Sequence, residues 1–496
     1  MIHHNISKNN SGFNLFVKCD ITLGWSKMSE KLTRFIVIIS FHSSGRCAVR
    51  DEVSKSVVMG TQSVFSERAK IEVEPSSIND SYFHLRFSSS NRYWRRNPDN
   101  NLIVAESIKP VDDLTDPSST LFEQISTDKH TSTVFFLRHV QTGHRVVGDA
   151  SGSPDPTPFH VAPNAQDEEG ILVFVNWSSL VKLPSHVAFK GFNQSYLQGI
   201  WAEDHQYLQF AAEDRNNEVA GHRVFLQPDG SLRIKSDHFN RYWQYQHDWI
   251  YASIQDPGTE SNTLFWPVRV DGDTIALRCN ANNRFCKSHD WDGKNRCLNA
   301  AVDTIVNEAR MTVEELVTNR TIYQVKYRME DARIYDVMPY LAGTTTATNY
   351  ANQKGEIAVE LKYEDSKSYT FSRSTSLKAG VKATIKAGIP FIVDESIEVS
   401  FEATETFEWD TAKTITTSVT ATGKVEVDPR TIATVHYVAS MGKCDIPYTY
   451  TQSEQSSTDG TFSETVYEDG IYTGVSCYNF DFVINSTKPL DPPPST

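Results

Sequence analysis

Short apolar runs separated by polar turns cover the first two thirds of the chain, and one of them repeats. Leu85-Arg86-Phe87-Ser88-Ser89-Ser90-Asn91-Arg92-Tyr93-Trp94 returns as Ile234-Lys235-Ser236-Asp237-His238-Phe239-Asn240-Arg241-Tyr242-Trp243, an offset of roughly 150 residues that implies two homologous domains. The likeness continues from Leu102–Ala105 to Trp249–Ala252 and from Thr120-Leu121-Phe122 to Thr263-Leu264-Phe265.

Within the second domain the period shortens to about 45 residues. Phe189-Lys190-Gly191, Ile234-Lys235-Ser236 and Leu277-Arg278-Cys279 each lead through a polar turn, with Asn193, Asn240 or Asn283, to an aromatic restart at Tyr196, Tyr242 or Phe285. Turn residues between alternating apolar strands predict a β-hairpin. The first domain repeats this more loosely at Ile39 to Val49, Leu85 to Trp94 and Leu137 to Val146. Three such units cannot each bury a face alone, but together they can close into one barrel with a hairpin cap. The pattern therefore predicts two tandem β-trefoils. A pair of β-sandwiches shares the strand spacing without explaining a count of three. The expected divisions are an extension over residues 1–30, trefoils over 31–175 and 185–318, and a linker over 176–184 with a short helical connector before Pro184.

From about Thr321 the pattern changes, because Ser, Thr, Lys and Glu alternate with apolar residues over long distances, the period of extended strands. Residues 319–486 form the third expected domain, ahead of a Pro-rich tail over 487–496. In Leu377 to Glu408 one face reads Leu377, Ala379, Val381, Ala383, Ile385, Ala387 and Ile389, while Lys378, Lys382 and Lys386 lie on the other. On the return, Ile397, Val399, Phe401 and Ala403 alternate with Glu398 and Glu402. A hairpin bent at Ile392 would set Lys386 against Glu398, Lys382 against Glu402, Ile385 against Val399 and Ala383 against Phe401, so both faces agree. Its corner, Ile389-Pro390-Phe391-Ile392-Val393, is apolar where a soluble hairpin carries a polar turn. Arms of this length suit a membrane β-strand of about 9 to 11 residues. An amphipathic hairpin of an ordinary sandwich reads the same by period alone.

The first two domains resemble the amaranthin family of plant agglutinins. The likeness rests on the Asn-Arg-Tyr-Trp turns, on Ile71-Glu72-Val73-Glu74-Pro75-Ser76, on Leu137-Arg138-His139-Val140-Gln141-Thr142-Gly143-His144 and on Val187-Ala188-Phe189-Lys190-Gly191. It implies two trefoils joined by a short helix and recognition of galactose- or GalNAc-type glycans. The third domain is similar to the aerolysin-like module, through Ala387-Gly388-Ile389-Pro390, Ser396 to Trp409, Lys413-Thr414-Ile415-Thr416-Thr417 and Pro429-Arg430-Thr431. That resemblance implies an elongated all-β module whose hairpin, carrying Leu377, Val381, Ile385, Ile389, Pro390, Phe391, Ile392, Ile397, Val399 and Phe401, is released to join a membrane barrel of several copies. The expected partners are glycans or glycoproteins, a membrane on oligomerisation, and further copies of the chain. A role in plant defence is the implied setting.

A sugar offers hydroxyls in fixed directions and one apolar face, so a site needs planar donors and acceptors beside an aromatic platform. Asn91, Tyr93 and Trp94, then Asn240, Tyr242 and Trp243, supply that set, and His139, Gln141 and His144 extend it in the first domain. The competing role for each is core packing or turn stabilisation.

Charge narrows the partners: Lys plus Arg total 48 against 62 Asp plus Glu, a net charge of -14 that repels polyphosphate, so nucleic acid is not expected. The N-terminus lacks the basic start and apolar core of a secretory signal, which places the protein in the cytoplasm or nucleocytoplasm and leaves its sequons unmodified. Met28 lies just before the patterned region, and residues 1–27 read as a disordered or misassigned extension. Seven cysteines without C-x2-C spacing read as reduced, buried thiols. His289-Asp290-Trp291-Asp292-Gly293-Lys294-Asn295 lacks the distal Glu of a calcium loop and reads as a solvated turn. No G-x-S-x-G, H-E-x-x-H or phosphate loop occurs, so neither enzyme activity nor a cofactor or metal is expected. The rivals are a lectin whose third domain only mediates oligomerisation, and a glycoside hydrolase using an unrecognised carboxylate pair.

Overall fold

In the computed structural model the described residues are 32–41, 46–126, 134–148, 158–166, 169–373 and 382–490. They are almost wholly β, with short 3-10 turns between strands. The expectations for residues 1–27 and for Leu377 and Val381 lie outside the described residues. Two compact units divide the chain: residues 32–320 with 454–463, and residues 321–373, 382–453 and 464–490.

In the first unit, six strands close on themselves in antiparallel order. Phe35–Ser40 pairs with Ile71–Pro75, which pairs with Tyr82–Phe87, then Leu121–Ser126, Val134–His139 and Ile171–Asn176, and the last returns to the first. Closure leaves no open edge. Three hairpins cap the ring: Cys47–Arg50 with Val57–Gly60, Arg92–Arg96 with Ile103–Ser107, and His144–Val147 with His160–Ala162. Bridges Ser56 to Val104, Val58 to Pro158 and Leu102 to His160 tie the hairpins together.

The same plan follows in the second half of the unit. His186–Gly191, His222–Leu226, Leu232–Ser236, Phe265–Asp271, Thr274–Cys279 and Met311–Glu315 form a second closed ring. Its cap is Tyr196–Ala202 with His205–Ala212, Arg241–Gln246 with Trp249–Ile254, and Phe285–Trp291 with Lys294–Val302. Between the rings, Trp177–Ser179 is a single 3-10 turn capped by the Asn176 side chain, so the connector is shorter than an α-helix.

Each ring is filled by aromatics at the heart of its cap. Trp94 packs on Phe87, Phe122 and Phe159 in the first, and Trp243 on Phe189, His222 and Phe265 in the second. Both indoles are fully buried.

The second unit is built on much longer strands, among them Arg333–Asn349, Gly355–Ser372, Lys413–Val427, Thr431–Ser456 and Phe462–Pro489, which with Ala383–Val393 and Ser396–Phe407 make one antiparallel sheet. The last strand runs past residue 486 into the Pro-rich tail. One apolar cluster gathers Ala347, Val359, Val425 and Val435. A larger one gathers Tyr369, Phe371, Tyr448 and Tyr472 around the inner faces of Ala383–Val393.

Candidate functional site

The repeated sequence has a local physical cause. In the three repeats of the second domain and the middle repeat of the first, the basic residue and the aromatic restart are cross-strand neighbours: Lys190 opposite Tyr196, Lys235 opposite Tyr242, Arg278 opposite Phe285 and Arg86 opposite Tyr93. The cation lies 5.6, 5.5, 6.0 and 5.8 Å from the ring centroid respectively, a cation–π pairing that pins each hairpin. The turn asparagines Asn91, Asn240 and Asn283 hold left-handed backbone, at φ of 51°, 54° and 60°, a conformation that Asn tolerates better than most residues.

These roles decide where the expected sugar contacts fall. Asn91 is buried, and its side-chain oxygen accepts from the Arg86 guanidinium, which also binds Glu72 and Glu74. Tyr93 is buried too, its hydroxyl donating to Glu74 at 2.7 Å. Trp94 and Trp243 have no exposed surface and cannot serve as platforms, so both expectations are corrected: the aromatic after the turn points into the barrel. His139 is buried against Phe122 and Thr142, and burial holds its pKa down to about 4. Gln141 donates to the carbonyl oxygens of Leu114 and Asp116, fixing a loop. His144 and Asn240 are exposed and Tyr242 half-buried beside Phe225, but His144 belongs to the first ring while Asn240 and Tyr242 lie together on the second. No single surface collects the set.

Against this geometry the chain can be placed among known proteins. Residues 54–172 and 181–317, together more than half of the chain, match the Agglutinin domain. The chain belongs to the agglutinin-domain family. Each match covers most of one closed ring and its cap, so the agglutinin domain is the repeated structural unit. Two relatives from Thalassophryne nattereri are similar: Natterin-1, 29% identical over 36% of this chain and 51% of its own length, and Natterin-2, 29% identical over 36% and 47%. The chain therefore spans about half the length of the curated relatives it matches. Among solved structures, an aerolysin-like protein of Bombina maxima is 13% identical, with a TM-score of 0.24 over 34% of this chain and 99% of its own.

Beyond the agglutinin domains, the hairpin Ala383–Val393 with Ser396–Phe407 keeps the expected alternation on its first arm. Ala383, Ile385, Ala387 and Ile389 are buried, while Lys386 is exposed. The bend is elsewhere than expected. Asp394 and Glu395 form a polar two-residue turn, both left-handed at φ of 46° and 67°, and Val393 pairs with Ser396. Lys386 therefore faces Thr404, Ile385 faces Glu405 and Ala383 faces Phe407, correcting the register drawn around Ile392. Glu402 lies opposite Gly388 rather than Lys382. The later bend accounts for most of the displacement, and Pro390, which has no N–H to donate, adds one residue to it: the ladder shifts between Ile389 and Pro390 and leaves Ser400 as the extra residue of a bulge.

The apolar stretch from Ile389 is consequently the end of a strand. Ile389, Phe391 and Ile392 are buried in the second unit's larger cluster. On the return arm Ile397 is half-buried, whereas Val399 and Phe401 are 52% and 39% exposed.

Three side chains that sequence reasoning passed over hold this strand end. Tyr327 donates to the Gly388 carbonyl at 2.5 Å and Tyr472 to the Pro390 carbonyl at 2.5 Å, while Ile392 N–H donates to Ser476 Oγ at 3.2 Å. Burial raises the pKa of both tyrosines, which keeps each hydroxyl a donor. The only signal in the sequence was the density of tyrosine in the last strands, which reads as core. The six cysteines among the described residues are buried and unpaired, with burial lifting Cys47 to about 12 and Cys297 to about 11, so none is primed as a nucleophile.

Proposed function

We propose that the protein is a glycan-binding protein in which two β-trefoil agglutinin domains direct an aerolysin-like module to membranes, where its hairpin inserts as part of an oligomeric β-barrel. The single observation that carries the membrane half is the hairpin Ala383–Phe407: its inner arm is apolar on one face and capped by side-chain hydrogen bonds, and its outer arm exposes Val399 and Phe401 between Glu398, Ser400 and Glu402. Such a strand suits lipid on one side and water on the other. The family match supports the glycan half, and the closed six-strand rings with three-hairpin caps support the trefoil reading. Galactose- or GalNAc-type sugars are the proposed ligands, and binding rather than catalysis is the proposed activity.

The direct test is dye release from vesicles with and without galactose-terminated glycolipid. Release that depends on the glycolipid and is blocked by free galactose supports the proposal. Glycan binding with no release under any lipid composition would favour a lectin whose third domain serves oligomerisation alone.

A further inference from the structure

The cap hairpins of the second agglutinin domain end in three matching two-residue turns, all left-handed: Glu203-Asp204 at φ of 47° and 60°, His247-Asp248 at 49° and 67°, and Asp292-Gly293 at 52° and 76°. They converge because Tyr207 pairs with Tyr251, Gln209 with Cys297 and Trp249 with Asn299. Their rings form one continuous run. Tyr251 lies 4.8 Å from Tyr207, Tyr207 5.8 Å from Trp249, Trp249 6.0 Å from His289 and His289 6.3 Å from Trp291, with the last two planes parallel to within 8°. The run starts buried, at Tyr207 and Tyr251, and ends at an indole that is 67% exposed.

Polar groups surround that open end in fixed positions. Lys294 bridges two of the hairpins, bonding Glu203 at 2.8 Å and the Asp292 carboxylate at 3.4 Å. Burial and the nearby Lys287 hold His289 below the ordinary histidine pKa, so its ring is neutral at physiological pH and can donate or accept. Asp290 and Asp204 add exposed negative charge. An exposed aromatic face beside anchored carboxylates and an ammonium matches what a pyranose offers, an apolar C–H face edged by hydroxyls. The excess of carboxylate disfavours acidic sugars, phosphorylated ligands and anionic lipid head groups.

We infer that this apex is a subsite for the terminal pyranose of a neutral glycan, stacked on Trp291 and hydrogen-bonded by Glu203, Asp292, Lys294 and His289. The inference rests on the reading of the agglutinin domains as glycan receptors and names where in the fold that receptor lies.

The test measures binding of the full chain to neoglycoproteins bearing terminal galactose, the same glycan capped with sialic acid, or terminal glucose. The expected order places the neutral probes above the acidic one, with sialic acid capping lowering affinity at least tenfold. Trp291→Ala should weaken galactose binding about tenfold with an unchanged melting temperature, and Trp291→Phe should keep most of it. Trp201, 64% exposed and packed on Phe239, is the control, and Trp201→Ala should bind as the parent does. Galactose binding undiminished in Trp291→Ala, or a preference for the sialylated probe, overturns the apex while leaving the glycan-receptor reading intact. Failure of the parent protein to bind any of the three probes overturns both.

Discussion

The hydroxyl of Tyr472 donates to the carbonyl oxygen of Pro390 at 2.5 Å, inside a cluster where its ring also meets Tyr327, Tyr369 and Phe371. The strand end that Pro390 interrupts is thus held by side chains where ladder bonds are missing. Tyr472→Phe keeps the ring packing and removes only the hydroxyl, leaving a buried carbonyl without that donor, a loss of about 1 to 3 kcal/mol. Amide hydrogen exchange at Gly388, Ile389, Phe391 and Ile392 should accelerate while the cores of the agglutinin domains stay protected. Unchanged exchange there would mean that the tyrosine does not hold the strand.

Arg320 is 1% exposed and is gripped by Glu315 and Glu454, its Nε donating to Glu454 at 2.7 Å. Removing the cation strands two carboxylates in a poorly solvated site. Arg320→Ala should therefore lower stability to denaturant by about 3 to 5 kcal/mol.

Two histidines set an acid limit on the agglutinin domains. Burial holds His139 and His222 at about 4, well below the ordinary histidine value. The unfolded chain takes up more protons than the folded one between about pH 6.5 and about pH 4, so stability is full above that window, falls as pH drops through it and levels off below. Each site contributes up to about 3 kcal/mol of this loss. Melting temperatures across pH 7 to 4 should fall accordingly, and His222→Gln, which cannot titrate, should give a shallower slope.

How much of this was legible beforehand depends on which residues carried one meaning. The turns at Asn240 and Asn283 followed from the repeat, because polar turns between alternating strands admit few folds. Trp94 and Trp243 carried two meanings, since an aromatic after a turn can face a sugar or a core, and only closure of the ring decides. Alternation from Ala383 to Ile389 was plain, yet the bend at Asp394 was not. A strand buried on both sides near its end looks like an apolar corner, and a bulge shifts every later pairing by one. Trp291 was legible only as part of a solvated turn, because it lies at the far tip of its hairpin, away from the Asn-containing turns that mark the repeat.

On the proposed function, the exposed apolar residues of the outer arm meet lipid after release. Val399 and Phe401 face solvent in the folded protein, at 52% and 39% exposure, so Val399→Glu with Phe401→Glu should leave folding and glycan binding unchanged. On a lipid-facing strand the two charges would be costly, each by a few kcal/mol near the bilayer midplane. The deciding measurement is dye release from galactose-bearing vesicles by the parent and by this double variant. Release by the parent and none by the variant, at equal vesicle binding, is the predicted result; equal release by both would contradict the account.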